Sequence, residues 1–261
     1  MGTPNAAEIP RSHMTDIDEK RVFDARSGAT TLLVASDTGL VHVEVSDDIV
    51  GEFSLLRRGP IRDVAVDTAR LAVATDEDVL VNDGPTGFGA ADAVAFDGNL
   101  LAAGDGRLAE YVDTWTSLAE IDDVRAIDGG LVAASGGVYR FDGRHAGLED
   151  AYDVAAAGPL AATGSGVYRL GNGWMIELEG RATAVASDGT REHAVVDGSL
   201  YEHRDGSWTE LERPIEEPIV DVAHGPATYA ITATGTVLVD AGDGWRSRSL
   251  GVSGARALVV G

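Results

Sequence analysis

Four arginines and one histidine are the side chains whose type and spacing best suit a ligand site. Arg62, Arg125, Arg181 and Arg256 lie beside or within recurring apolar segments, and His224 ends another. Because a guanidinium forms two parallel hydrogen bonds with a carboxylate or phosphate, converging arginines predict a site for a small anion or an acidic peptide end. The alternatives are an internal ring of Arg–Asp ion pairs and a satisfied interior histidine.

Two connections between apolar segments hold the candidate partner contacts. Leu55–Pro60 contains the adjacent pair Arg57 and Arg58, and the stretch 211–218, which carries two prolines, contains Ile215. Long loops on a rigid scaffold often carry binding residues. We therefore predict that these three residues contact a partner; pairing with local surface acids is the alternative for the arginines.

No catalytic or cofactor-binding constellation accompanies these residues. The chain has no cysteine, its six histidines lack metal-ligand spacing, and no nucleophile elbow, P-loop or dinucleotide-binding motif occurs. Its glycine-rich turns join strands, whereas a phosphate cradle needs a helix terminus. The sequence predicts no metal and no cofactor, and it favours a non-enzymatic protein.

The excess of acidic residues restricts the cellular environment and the class of partner to be expected. Asp and Glu total 43 against 20 Lys and Arg, Lys20 is the only lysine, and the net charge is −23. At molar salt the screening length falls to roughly 3 Å, so such self-repulsion weakens. This composition predicts the cytoplasm of a salt-accumulating halophile and argues against a basic patch for duplex nucleic acid. No apolar run approaches the roughly 20 residues of a membrane-spanning helix.

The elements that must position the candidates recur along the chain. Each unit holds an apolar strand rich in Val and Ala, a small-residue strand, a Gly or Asp turn and two further strands. The units are spaced by 30, 31, 29, 31, 37 and 36 residues when aligned on Ala65, Ala95, Ala126, Ala155, Ala186, Ala223 and Val259. This pattern predicts an all-β, seven-bladed β-propeller of four-stranded antiparallel blades.

The two ends of the chain are expected to complete one blade. The first small-residue strand, Thr31–Ala35, lacks an inner neighbour, and Arg256–Val260 fits that place. We therefore predict that the C-terminal strand closes the ring, which removes an exposed sheet edge. Arg21–Ala25 is the alternative inner strand. Residues 1–20 are expected to be a disordered tail and residues 21–261 the propeller domain.

Short glycine turns before tryptophan carry a family resemblance. Asn172-Gly173-Trp174, Asp205-Gly206-Ser207-Trp208 and Asp243-Gly244-Trp245 are shortened forms of an Asp-box. Together with the repeats, they resemble haloarchaeal seven-bladed β-propeller proteins with degenerate Asp-box or WD-like repeats. The resemblance implies a fold and carries no activity.

The functional prediction follows from a complete scaffold without catalytic residues. We expect a non-enzymatic scaffold that binds another protein through one propeller face. An enzyme or small-anion binder with its site at the central channel mouth is the alternative. A third interpretation, sugar binding on the Trp turns, requires several exposed tryptophans.

Overall fold

Seven antiparallel sheets of four strands each make up the described protein. The computed structural model describes residues 29–261. The predicted tail 1–20, the domain boundary at residue 21 and the alternative strand Arg21–Ala25 lie outside that range. Each sheet is one propeller blade, and blade 1 is the sheet that contains both Ala29 and Val260.

The strands fall into four concentric sets, each ordered from blade 1 to blade 7. The innermost strands are β28 (Ala255–Val260), β4 (Ile61–Val66), β8 (Ala93–Asp97), β12 (Val124–Asp128), β16 (Ala151–Ala155), β20 (Ala182–Ser187) and β24 (Ile219–His224). The second strands are β1 (Ala29–Ser36), β5 (Leu71–Thr75), β9 (Asn99–Gly104), β13 (Leu131–Ala134), β17 (Leu160–Thr163), β21 (Glu192–Val196) and β25 (Thr228–Thr232).

The third and outer sets lie farther from the axis. The third strands are β2 (Gly39–Ser46), β6 (Val79–Val81), β10 (Arg107–Tyr111), β14 (Gly137–Arg140), β18 (Gly166–Leu170), β22 (Ser199–Arg204) and β26 (Thr236–Asp240). The outer strands are β3 (Ile49–Arg58), β7 (Gly84–Pro85), β11 (Trp115–Glu120), β15 (His145–Gly147), β19 (Trp174–Glu179), β23 (Ser207–Glu210) and β27 (Arg246–Ser249).

The second strands are largely apolar because neighbouring blades cover both of their faces. In β9, every residue from Leu100 to Gly104 is buried. Side chains of successive strand residues point to opposite faces, so such a run needs packing on both sides. The hairpin after β21 uses Asp197 and Gly198 at φ of 52° and 82°, the left-handed geometry of a two-residue turn.

The C-terminal strand closes the ring, as predicted. β28 pairs antiparallel with β1, with Leu32 opposite Val260 and Val34 opposite Leu258. Leu258 is buried in the cluster between blades 7 and 1. Without β28, the second strand of blade 1 would present an unpaired edge at the centre of the molecule.

The repeat alignment is wrong in blade 4, where it is displaced by two residues. Ala126 pairs with Ala133 directly after a register shift, as Asp63 pairs with Ala74 in blade 2. Asp128 therefore occupies the position of Ala65, and Ala126 that of Asp63. The displacement arises because Ala126 matches the alanines of the other blades in residue type, whereas strand pairing places the charged Asp128 at their position.

Candidate functional site

The innermost strands surround a central channel with two different ends. All seven have the same direction because each blade repeats the same strand order. We call the end where they begin the mouth, the surface around it the mouth face, and the opposite surface the far face. The innermost strands line a cavity of about 470 Å³ in this channel.

Three of the four candidate arginines share one position at the mouth. Arg62, Arg125 and Arg256 are each the second residue of an innermost strand, and all three line the same cavity at the mouth. A register shift in the inner strand places this residue at the same position in blades 1, 2 and 4. The structure thus brings the three guanidiniums together around one opening.

Each of these guanidiniums already has a carboxylate partner. The shortest N–O distances are 2.5 Å from Arg62 to Asp76, 2.9 Å from Arg125 to Asp150 and 2.8 Å from Arg256 to Asp37. The hydrogen bond to Asp76 raises the pKa of Arg62, and the one from Arg125 lowers the pKa of Asp150. An incoming anion would compete with these aspartates.

Arg181 joins this group through an aromatic ring. The guanidinium carbons of Arg125 and Arg181 lie 4.3 Å and 4.8 Å from the ring centroid of Tyr152. A hydrogen bond to Tyr152 is the main cause of the raised pKa of Arg181. Two cations therefore converge on one ring.

Three aspartates form a second layer, one residue deeper in the channel. Asp63, Asp153 and Asp221 occupy the same position in blades 2, 5 and 7. The other four blades have alanine there: Ala93, Ala126, Ala184 and Ala257. The repeated tripeptide Asp-Val-Ala marks these three blades in the sequence.

Each of these carboxylates joins its blade to the next. One oxygen of Asp153 accepts a hydrogen bond from the backbone N–H of Val154 at 2.8 Å, and the other accepts one from Val185 of blade 6 at 2.9 Å. Asp63 and Asp221 make the same pairs of bonds. Asp128, which lies deeper in the channel, also joins its blade to the next, because it accepts a hydrogen bond from the backbone N–H of Ala156 at 2.7 Å. These aspartates have a structural role between blades.

The narrow channel changes the acidity of these carboxyl groups. Burial away from bulk water raises the pKa of Asp63 to about 6 and that of Asp153 to about 7, against the opposing backbone hydrogen bonds. Burial also raises the pKa of Asp221 well above its usual range, and the negative charge of Asp153 adds to this effect. Charge in a poorly solvated site is disfavoured, so these groups hold their protons toward neutral pH.

His224 lies at the far end of the channel, away from the arginines. It is the last residue of β24, whereas Arg125 is the second residue of β12. Its Nε2 lies 2.9 Å from Nδ1 of His193 in blade 6. Burial is the main cause of lowered pKa values, about 4 for His224 and about 3 for His193. Sequence reasoning missed His193 because a contact between blades leaves no local spacing.

The predicted partner contacts also lie on the mouth face. Arg57 and Arg58 end β3 and are exposed, just before the turn into β4. Ile215 lies in the connection from β23 to β24, where it is partly buried against the cluster between blades 6 and 7. The two arginines thus have more exposed surface available for a partner than Ile215 has.

The tryptophans pack between blades. Trp174 Nε1 donates to the carbonyl of Ala146, and Trp208 Nε1 donates to Glu177 at 3.1 Å. Trp115 contacts Phe88, with ring centroids 4.6 Å apart. All four are partly buried, which does not fit a set of exposed stacking surfaces for sugars.

Comparisons with known proteins agree on the architecture. Residues 16–261 match the family model described as HVO_0234-like, beta propeller. A chain of a nidogen/laminin complex is similar at 12% identity and a TM-score of 0.56, with 88% of this chain and 98% of that chain covered. No curated protein matches.

Two further solved structures are similar. The computationally designed Ika8 protein matches at 14% identity and a TM-score of 0.58, over 87% of this chain and 89% of its own. YCF48 bound to a D1 peptide matches at 15% identity and a TM-score of 0.53, over 72% of this chain and 81% of its own. At these identities the likeness concerns the fold alone.

Two features are absent from residues 29–261. No helix there is long and apolar enough to cross a membrane. No group of three or more His, Asp or Glu side chains in the same range could hold a metal ion. In the acidic layer of the channel, both oxygens of Asp153 already accept backbone hydrogen bonds.

Proposed function

Since the chain belongs to the HVO_0234-like beta-propeller family, whose shared feature is the propeller fold, we propose that it is a non-enzymatic protein-interaction scaffold. It binds another protein through the mouth face. Its acidic surface and single lysine support a place in the cytoplasm of a halophile, where short hydrated carboxylates maintain solubility.

The observation on which this proposal mainly rests is a pair of unpaired cations on that face. Arg57 and Arg58 have neither a hydrogen bond nor an ion pair from their guanidiniums to any other residue of 29–261. The chain contains 43 acidic residues, more than twice its Lys and Arg. Exposed arginines that remain unpaired are available for contacts between molecules, where arginine is enriched.

Similar structures give modest additional support. Two of the similar folds are described in complexes, one with a D1 peptide and one between nidogen and laminin. The likeness to this chain concerns architecture alone. It is consistent with a rigid disc that presents one face to a polypeptide.

Site-specific crosslinking tests the proposal. A photoreactive phenylalanine analogue replaces Leu56, 46% exposed near the mouth face, or Val112, 63% exposed on the far face as a matched control. We expect a partner that is captured at high salt from position 56, is not captured from position 112, and is lost with Arg57→Glu/Arg58→Glu. Equal capture from both positions, or capture unaffected by the charge reversal, would contradict the proposal.

A second candidate function rests on Arg125, Tyr152 and Arg181. Two guanidiniums converge on this ring, while Asp150 is the carboxylate hydrogen-bonded to Arg125. A small anion at the mouth could share both cations. Calorimetric titration with inorganic phosphate or N-acetylaspartate tests this function. Binding that is unchanged by Arg125→Leu would eliminate it.

A further inference from the structure

The outer strand of blade 1 differs from the other six outer strands in length. β3 contains 10 residues, whereas the others contain between 2 and 6. It pairs with β2 on one side only. An unpaired strand edge offers backbone N–H and C=O groups to another chain.

Exposed apolar side chains are concentrated on this strand. Ile49, Phe53 and Leu56 are 63%, 38% and 46% exposed, and they are three of the six large apolar side chains exposed within residues 29–261. Burial of such side chains by a partner strand would be favourable. Side-chain pockets along an edge also give selectivity to strand addition.

The first part of the edge is occupied by the neighbouring blade. Arg248 of β27 donates to the carbonyls of Val50 and Gly51 at 2.8 Å and 2.5 Å. Its guanidinium carbon lies 5.2 Å from the ring centroid of Phe53. The edge available for a partner therefore begins near Phe53 and extends to Arg58, a length that suits a short segment.

The charge at the end of this edge identifies the chemistry of the partner. Arg57 and Arg58 lie there with no partner for their guanidiniums among residues 29–261, on a chain of net charge −23. Two unpaired guanidiniums favour carboxylates, which they can hold in two parallel hydrogen bonds. A β-bulge near Leu56 interrupts the regular pairing just before them, as bulges do where side chains are redirected.

We propose that β3 accepts a short extended acidic segment of another protein as a fifth strand of blade 1, with its carboxylates on Arg57 and Arg58. This inference rests on the proposed scaffold function and names the partner's chemistry. Backbone hydrogen bonds would supply affinity, and contact ion pairs would supply selectivity even where salt screens longer-range attraction.

A second copy of the chain fits this edge less well. An antiparallel copy centred on Phe53 would bring Arg58 opposite Asp48 of the second copy. Asp48, however, already forms an ion pair with Arg246. Two copies would also bring together two net charges of −23. A short foreign acidic segment does not require Asp48 and brings far less negative charge to the edge than a second copy does.

Peptide binding with defined probes tests the proposal. The probes are fluorescent peptides of alternating Val and Glu, of alternating Val and Lys, and of Val and Glu with every second residue N-methylated. We expect a rise in anisotropy with the first peptide alone, at low and at molar salt. Arg57→Glu/Arg58→Glu should weaken this binding by about tenfold or more and should favour the lysine peptide. Arg140→Glu, which changes an exposed arginine on the far face, should have no effect.

The outcomes separate this inference from the scaffold proposal. Equal binding of the N-methylated peptide, or binding of the acidic peptide that survives charge reversal, would overturn strand addition. Sedimentation as a dimer that the charge reversal dissociates would overturn the choice of a foreign segment. If the acidic peptide fails while face-specific crosslinks from position 56 persist, the scaffold proposal stands and the strand-addition proposal does not. Circular dichroism confirms that each variant is folded, and the N-methylated control uses the unaltered protein.

Discussion

Replacement of Asp153 by asparagine tests the acidic layer of the channel. In the folded protein, burial raises the pKa of this carboxyl to about 7, from an ordinary value of 3.8. A raised pKa in the folded state means that the folded protein binds more protons than the unfolded chain across this interval. The contribution of Asp153 to stability is therefore fully present below about pH 4 and is lost as the pH rises toward 7.

The size of this loss follows from the pKa difference. Each pKa unit corresponds to about 1.36 kcal/mol, so the contribution of Asp153 declines by up to about 4 kcal/mol between pH 4 and neutrality. Asparagine removes the charge but accepts only one of the hydrogen bonds from Val154 and Val185, a penalty of about 1 to 3 kcal/mol. The variant should thus be less stable than the wild type at pH 4 and equal or more stable at neutral pH.

Urea unfolding at constant salt measures the difference between variant and wild type at each pH. The difference is the useful quantity, because the histidine pair has the opposite pH dependence over part of this range. Asp205→Asn, in an exposed turn, is the control and should show no pH-dependent difference. A difference for Asp153→Asn that stays constant from pH 4 to pH 7, or that changes in the opposite direction, would refute the reasoning.

Three further predictions concern the ring and its contacts between blades. Truncation after Gly254 removes β28 and exposes the edge of β1. Because the loss of buried Leu258 alone costs about 2 to 5 kcal/mol, the melting temperature in thermal unfolding should fall sharply. An unchanged melting temperature would exclude the closure role of β28. The pKa of His193 is lowered in the folded protein, so its contribution to stability is lost as the pH falls. His193→Phe should therefore reduce the acid destabilisation of the protein by about 3 kcal/mol between pH 7 and pH 4. Equal acid sensitivity of variant and wild type in urea titrations would contradict this. Arg169→Ala leaves Glu177 and Glu192 without their shared half-buried guanidinium and should lower the free energy of unfolding by about 3 kcal/mol in denaturant titration. Arg144→Ala, at an exposed ion pair, should lower it by under about 1 kcal/mol. Similar losses in both variants would argue against the network around Arg169.

Much of the fold could be predicted because its signals are local and repeated. A strand covered on both faces must be largely apolar, and a two-residue turn favours Gly and Asp, so each blade is recognisable within some thirty residues. The C-terminal strand was identified by the same residue pattern, and its pairing with β1 is confirmed. The true alignment of blade 4 was not visible, because Asp128 stands where the other blades have alanine or valine, and only the strand pairing reveals this.

The candidate site was predictable in its residue types and only partly in its arrangement. Arg62, Arg125 and Arg256 could be placed near the axis from the repeat, since equivalent residues of a propeller form a ring. The approach of Arg181 to Tyr152 and the pairing of His193 with His224 could not be predicted. Each joins neighbouring blades through side-chain geometry that no sequence spacing records.

Local patterning along the chain is therefore sufficient to predict the number of blades, their strands and the closure of the ring. The reason is that burial on two faces and tight turns restrict the residue types in these elements. The neighbours of each charged side chain depend on how adjacent blades are rotated and bulged against one another. Within residues 29–261, that packing gives Arg125 an aspartate, leaves Arg57 and Arg58 without one, and raises the pKa of the channel carboxyls. Charge pairing and desolvation act through space, over distances of a few ångströms that only the folded chain defines.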